Sequence, residues 1–253
     1  MAACGMLLIA PVLAPTPAKA DCEAQGWRYR ATPYAWAISV GGTARIGSAN
    51  VSLDESFSDL IQAADSMVAV QGYGEAHHGC VGVFLDGTYI KLDFSPHDLS
   101  GYDVTATNAL GIIQGGGLLE LVGSSADAKA GSFSLDALAG FRHVYQRIDL
   151  GANIGSSRSL DRSYAFTDGI GGLRGRYLLT ENWELQAWGN VGAGGSNLSW
   201  EAGGGVGYRF EVAGWPLTAF GGYRALGYDY SGSNGNDIKQ TLYGPLVGLG
   251  VRF

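Results

Sequence analysis

Of the 253 residues, 41 are glycine and 46% are hydrophobic, while only 15% are charged and the net charge is −7. That apolar content excludes a disordered chain, and glycine at more than twice its usual ~7% without a three-residue period excludes helix bundles and collagen. The acidic balance speaks against a nucleic-acid partner, which leaves a large all-β protein.

Residues 1–20 read as a secretory signal. Met6–Ala14 is a short apolar core, and Ala18-Lys19-Ala20 forms an A-x-A cleavage site. No basic residue precedes that core. A mature domain over 21–253 is expected, and no run of ~20 apolar residues suggests a membrane helix.

From residue 27 onward, segments with period-2 alternation are separated by turn-forming clusters. Ten strands are expected at 27–40, 66–76, 81–92, 108–121, 132–146, 163–178, 183–193, 198–210, 217–230 and 241–253, with eight or twelve as alternatives. The clearest is Ser199–Phe210. Trp200, Ala202, Gly204, Val206, Tyr208 and Phe210 share one face, opposite Glu201, Gly203, Gly205, Gly207 and Arg209. Aromatics at both ends of an apolar face suit a strand that crosses a bilayer between two interfacial girdles. An even number of such strands predicts a transmembrane antiparallel up-and-down β-barrel of the outer membrane, embedded in its lipid.

The linkers alternate in length. Those at 77–79, 124–131, 180–182 and 211–216 are short, as periplasmic turns are. The stretches 41–65, 93–107, 147–162 and 231–240 are longer and polar, as outer loops are, although 41–65 and 147–162 could hide strand extensions. Once the signal is removed, Cys22 and Cys80 are the two cysteines left. An exported chain with two cysteines suggests one disulfide, with two free thiols as the other reading. Both residues fall on the periplasmic side of the topology, which favours the bond.

At the C-terminus, Tyr243, Val247, Leu249, Val251 and Phe253 alternate with Gly244, Leu246, Gly248, Gly250 and Arg252. Gly248, Val251 and the terminal Phe253 resemble the signal read by the outer-membrane barrel-assembly machinery, although Leu246 stands where a polar residue is typical. Gly172-Leu173-Arg174, Tyr177-Leu178-Leu179-Thr180, Gly207-Tyr208-Arg209-Phe210, Gly222-Tyr223-Arg224 and Gly244-Pro245-Leu246 resemble a family of uncharacterised Gram-negative outer-membrane β-barrel proteins. The resemblance implies fold and location and brings no activity or cofactor.

Strand parity turns Arg28, Arg30, Arg142, Arg174, Arg176, Arg209, Arg224 and Arg252 inward, with Glu75, Asp86, Glu120, Asp136, Glu184 and Glu201. Charges in so narrow a lumen must be paired or hydrated. Sequential strand order is expected to bring Glu184 beside the strand at 163–178 and Glu201 beside that at 217–230. A salt-bridged plug points to a structural or surface-interaction barrel. An unneutralised arginine ring would instead make a narrow porin-like, anion-selective channel. Neither His97-Asp98 nor His143 forms a catalytic set. The neighbouring side chains of His77 and His78, near Cys80, diverge, and Asp229 with Asp237 lacks the spacing of a calcium loop. No enzyme activity, cofactor or metal is expected, and the sequence leaves oligomeric state open.

Overall fold

The segments read as alternating form strands, with 27–40 broken at Ala37 and Ile38, in the computed structural model, which describes residues 22, 26–46, 49–94, 103–123, 129–153, 157–232 and 237–253. The signal at 1–20 and the pair His97-Asp98 lie outside the described residues. The strands are β1 (Trp27–Trp36), β2 (Ser39–Ile46), β3 (Ala49–Glu55), β4 (Ser66–His78), β5 (Val81–Phe94), β6 (Asp103–Val122) and β7 (Phe133–Asn153). They continue with β8 (Ser157–Leu178), β9 (Trp183–Gly194), β10 (Leu198–Val212), β11 (Trp215–Ser231) and β12 (Asp237–Arg252). Strands β4 to β12 pair antiparallel in sequence order. Strand β1 joins both ends, pairing β4 from Trp27↔His78 to Pro33↔Gly72 and β12 from Arg30↔Arg252 to Trp36↔Leu246. The result is a closed ten-stranded barrel, as the alternation predicts.

Two stretches expected as outer loops are built differently. In 41–65, β2 pairs the outer half of β12 from Ser39↔Tyr243 to Arg45↔Asp237, and β3 folds back on β2. A short helix, α1 (Phe57–Ala63), follows. Ala37 N–H donates to Pro245 O at 2.9 Å, so the chain stays on β12 across the break between β1 and β2. The carbonyl of Ala37 lies so close to Gly244 that a Cβ there would sit 1.9 Å from it. Ser56 caps α1, accepting from Asp59 N–H at 3.2 Å and donating to the Asp59 carboxylate at 2.6 Å. In 147–162, β7 and β8 simply continue, pairing from Phe133↔Tyr177 to Asn153↔Ser157.

The periplasmic ends are tight. Val212 pairs with Trp215 across Ala213 (φ 51°) and Gly214 (φ 81°), the two left-handed positions that a two-residue hairpin needs.

The outer face carries the membrane belt. Val81, Val83, Leu85, Val191, Val206, Val247 and Leu249 are exposed there. Trp27, Tyr29, Trp183, Tyr208, Trp215 and Phe253 ring the periplasmic end, with Tyr29 and Phe253 stacked at 5.6 Å. Tyr89, Trp200 and Tyr223 stand eight residues further along their strands from Val81, Tyr208 and Trp215. Eight residues at about 3.3 Å, tilted about 40°, cover ~20 Å, close to the ~25 Å belt of an outer-membrane barrel. Among the described residues no helix is long and apolar enough to cross a membrane; the crossing is made by strands.

Cys22 and Cys80 form a disulfide with Cα atoms 4.6 Å apart and a sequence separation of 58. It ties the segment before β1 to the β4–β5 turn on the periplasmic side. Replacing both with serine should lower stability by about 2–4 kcal/mol, as expected for closing a loop of this length. The readout is the temperature at which the fast-migrating folded band disappears in unheated gel samples. An unchanged temperature would show that the bond contributes nothing.

Candidate functional site

Alternation that turns apolar residues toward lipid turns the polar ones into a narrow lumen, where burial forces them to pair. All fourteen charged residues expected to face inward do so, and they gather in two storeys. The periplasmic storey centres on Glu75. It accepts from Arg174 Nη1 at 2.5 Å, from Arg176 Nη2 at 2.9 and 3.1 Å and from the Tyr73 hydroxyl at 2.6 Å. Arg30 lies 3.5 Å away and His77 3.8 Å. Arg174 also donates twice to Asp136, at 2.9 and 2.6 Å. Arg209 pairs with Glu184 at 2.6 Å, and Arg28 approaches Glu120 at 3.8 Å while donating to Gly79 O at 2.9 Å. Arg252 stands apart, with no ion pair among the described residues and its buried Nε unpartnered.

The central storey is organised by Glu201. One oxygen accepts from Trp188 Nε1 at 2.8 Å and faces Arg224 Nε at 3.0 Å. The other accepts from Gln114 at 2.8 Å, Arg142 at 3.0 Å and Asn190 at 3.3 Å. Arg142 is fully buried. Its remaining donors go to Gln114 Oε1 at 2.9 Å, Ser199 Oγ at 3.0 Å and Asn190 Oδ1. Arg224 pairs with Asp86 at 2.7 Å, donates to the Tyr34 hydroxyl at 3.0 Å and lies 4.7 Å over the Trp36 ring. A cavity of about 140 Å³ remains between the storeys, lined by Arg30, Thr32, Tyr34, Thr218 and Phe220 among others.

Above Glu201 the lumen changes character. Trp36, Ile38, Leu110, Ile112, Val144, Phe166, Leu226 and Leu242 pack into an apolar layer across the barrel. Tyr164, Tyr228, Gln146 and Gln240 form a hydrogen-bonded cluster beside it, with Tyr228 donating to Gln240 at 2.8 Å.

As expected, β9 lies beside β8, with Glu184 opposite Leu178, and β10 lies beside β11. Glu184 takes its ion pair from Arg209 of β10. Asp136 lies directly across from Arg174 in the β7–β8 ladder, and Glu75 reaches both Arg174 and Arg176 across the narrow lumen. Glu201 does meet Arg224 on the adjacent β11, and it also meets Arg142 from β7 across the lumen. Sequence reading missed Asp168, a buried carboxylate that accepts from Gly195 N–H at 3.0 Å, Ser196 N–H at 2.7 Å and Ser196 Oγ at 2.6 Å. It fastens the short β9–β10 turn. Its parity with Arg174 and Arg176 could have revealed it, as parity could have revealed the neutral partners Tyr34, Tyr73, Gln114, Trp188 and Asn190.

The remaining candidates are dispersed. His77 is buried in the lumen while its neighbour His78 packs on Trp27 outside. His143 bonds Thr167 at 2.8 Å. Asp229 faces Lys239 and Asp237 faces Arg45. Among the described residues no group of three His, Cys, Asp or Glu could hold a metal ion.

Closed ladder, apolar belt and paired lumen together define an integral outer-membrane β-barrel. No family model matches the chain, and no curated protein is similar to it in sequence. Among solved structures it is similar to Ail, the attachment invasion locus protein of Yersinia pestis. That likeness has 12% identity and a TM-score of 0.35, covering 91% of this chain and 100% of that one. The translocator domain of autotransporter NalP from Neisseria meningitidis gives 13% identity and 0.34, covering 92% and 91%. A Pseudomonas aeruginosa FadL homologue gives 10% and 0.30, covering 90% of each. At such identities and scores no role transfers from those proteins, and the barrel reading rests on this chain's own ladder and belt.

Glu201→Gln removes the charge that Arg142 and Arg224 share and should cost about 3–5 kcal/mol, as breaking a buried pair does. Lys239→Ala removes an exposed partner of Asp229 at 3.9 Å and should cost under ~1 kcal/mol. Thermal loss of the folded gel band measures both. Equal effects would show that the lumen pairs are as weak as surface ones.

Proposed function

We propose that this barrel is a non-conducting structural element of the outer membrane that presents its extended outer strands as an interaction surface, without catalytic chemistry. The observation that carries the proposal is the double closure of the lumen. Seven of the eight inward arginines are within ion-pair distance of a carboxylate, and an apolar layer lies above them. Ions crossing it would have to break buried pairs and then pass a hydrophobic constriction. The outer strands supply the surface. Beyond Tyr145, β7 continues for eight residues to Asn153, about 25 Å of strand past the girdle. Arg147 and Asp149 pair on that projection at 2.9 Å.

Purified, refolded protein in a planar bilayer should show negligible conductance, and Glu201→Gln should leave it negligible while lowering stability. Steady anion-selective currents from the wild type would establish the channel reading instead.

Phe253 belongs to biogenesis in this proposal. Its ring is exposed at the periplasmic girdle, with its backbone paired to Tyr29. Phe253→Ser should therefore reduce the amount of barrel assembled in cells, as read by surface protease protection and heat-shifted gel mobility. Normal assembly of the variant would remove Gly248, Val251 and Phe253 as an assembly signal.

A further inference from the structure

The barrel wall is incomplete on one side of its outer half. Strand β1 leaves β4 at Pro33↔Gly72, and Pro33 has no N–H to continue a ladder. Above that point β2 follows β12, and β3 follows β2. Among the described residues, no ladder joins β3 to the outer half of β4. In its place Gln71 reaches sideways, accepting from Trp36 N–H at 2.5 Å and donating to Trp36 O at 3.4 Å. Ala69 and Met67 have the inward parity of Gln71, Tyr73 and Glu75, yet both are exposed. The seam begins within the apolar belt, since Gly72 pairs with Gly87, two residues short of the girdle Tyr89.

Behind the seam is a cavity of about 60 Å³. Leu60 and Ile61 of α1, Met67 of β4, Leu92 of β5, Leu110 of β6 and Leu242 of β12 line it, and among the described residues no charged one does. Its amide-bearing walls are already engaged. Gln146 donates to Asn108 at 3.2 Å, and Gln240 accepts from Tyr228. No free polar group therefore converges on a ligand. The volume is well below the ~150 Å³ of an apolar cavity that takes benzene, so a slender chain fits better than a ring. Val70, exposed on the outer face of β4 opposite the girdle Tyr89, brings the lipid-facing surface up to the opening, and Val68 continues it outward.

We infer that this cavity takes the end of an acyl chain of a membrane phospholipid, which enters sideways through the seam between α1 and β4. Leu92 and its ladder partner Met67 stand three residues outward of the girdle Tyr89, so the chain would bend outward past the girdle to reach the cavity. The buried apolar layer and ion storeys below make the cavity a dead end, so the site holds a chain rather than conducting one. This inference stands apart from the interaction role proposed above.

The test uses full-length protein refolded in phosphatidylcholine liposomes doped with a phosphatidylcholine carrying a diazirine at the end of one acyl chain. After irradiation, peptide mass spectrometry should find adducts on Leu92 and Leu110, which are buried inside the wall, as well as on Val68 and Val83. Adducts confined to outward residues would overturn the inference. Met67→Trp should fill the mouth and abolish labelling of Leu92 and Leu110 while outward labelling persists, with heat-shifted mobility reporting that the variant folds. Undiminished inner labelling in the folded variant would also overturn it. A diazirine-tailed decanoic acid added from water supplies the third arm. If it labels Leu92 and Leu110 and the phospholipid probe does not, the occupant is a free fatty acid from solution and phospholipid occupancy is wrong.

Discussion

Glu201 is buried with five donors around it, and the arrangement of the lumen follows from satisfying that one carboxylate. A ten-stranded ring leaves an interior too narrow for bulk water, so each charge placed there needs a partner from across the barrel. Glu201 collects donors from β6, β7, β9 and β11. Four strands that are not all neighbours in the wall are thereby tied at one point. The ladder alone fixes the order of strands around a barrel. Contacts through the centre add resistance to flattening and fix the cross-section. Glu75 does the same work nearer the periplasm, joining β4 to two arginines of β8.

Space for these groups comes from glycine. The inward face of β10 reads Glu201, Gly203, Gly205, Gly207, Arg209. A Cβ at Gly203 would lie 2.3 Å from the Trp188 ring, and one at Gly207 would lie 2.7 Å from the Glu184 side chain. The bare positions let Trp188 of β9 reach Glu201 and let Glu184 meet Arg209. A composition that first reads only as unfriendly to helices is therefore a packing device. Where one strand contributes nothing to the lumen, its neighbours contribute large polar side chains.

Local alternation was enough to read the ten-stranded wall and the inward direction of the charges, because the period-2 pattern depends on each strand's own residues. It was not enough for β2, β3 and α1. The run Val40-Gly41-Gly42-Thr43-Ala44 has little alternation, and β2 exists because β12 offers it an unpaired edge far along the chain. Nor does parity set height or partner. Arg174 and Arg176 sit about a hundred residues from Glu75 in sequence, and only the stagger of the closed barrel brings them level with it. Asp168 was within reach of the parity argument. Its role was not, since its partners are the backbone N–H groups of a turn.

The change from ionic to apolar lumen coincides with the place where the β1–β4 ladder ends. A backbone edge facing lipid is expensive, because unpaired N–H and C=O groups find no water there. At the start of the seam the Gln71 amide substitutes for the missing ladder by bonding the backbone N–H and C=O of Trp36. A wall opened beside the Glu75 or Glu201 clusters would expose buried charges to hydrocarbon. Opened beside Ile90, Leu92 and Leu110, it exposes side chains as apolar as the lipid itself. The positions of Pro33 and Gln71 therefore have to agree with the height of the apolar layer. Trp36 joins the two, with its backbone held by Gln71 and its ring roofing Arg224. The ionic lock is thus sealed below the level at which the barrel opens sideways.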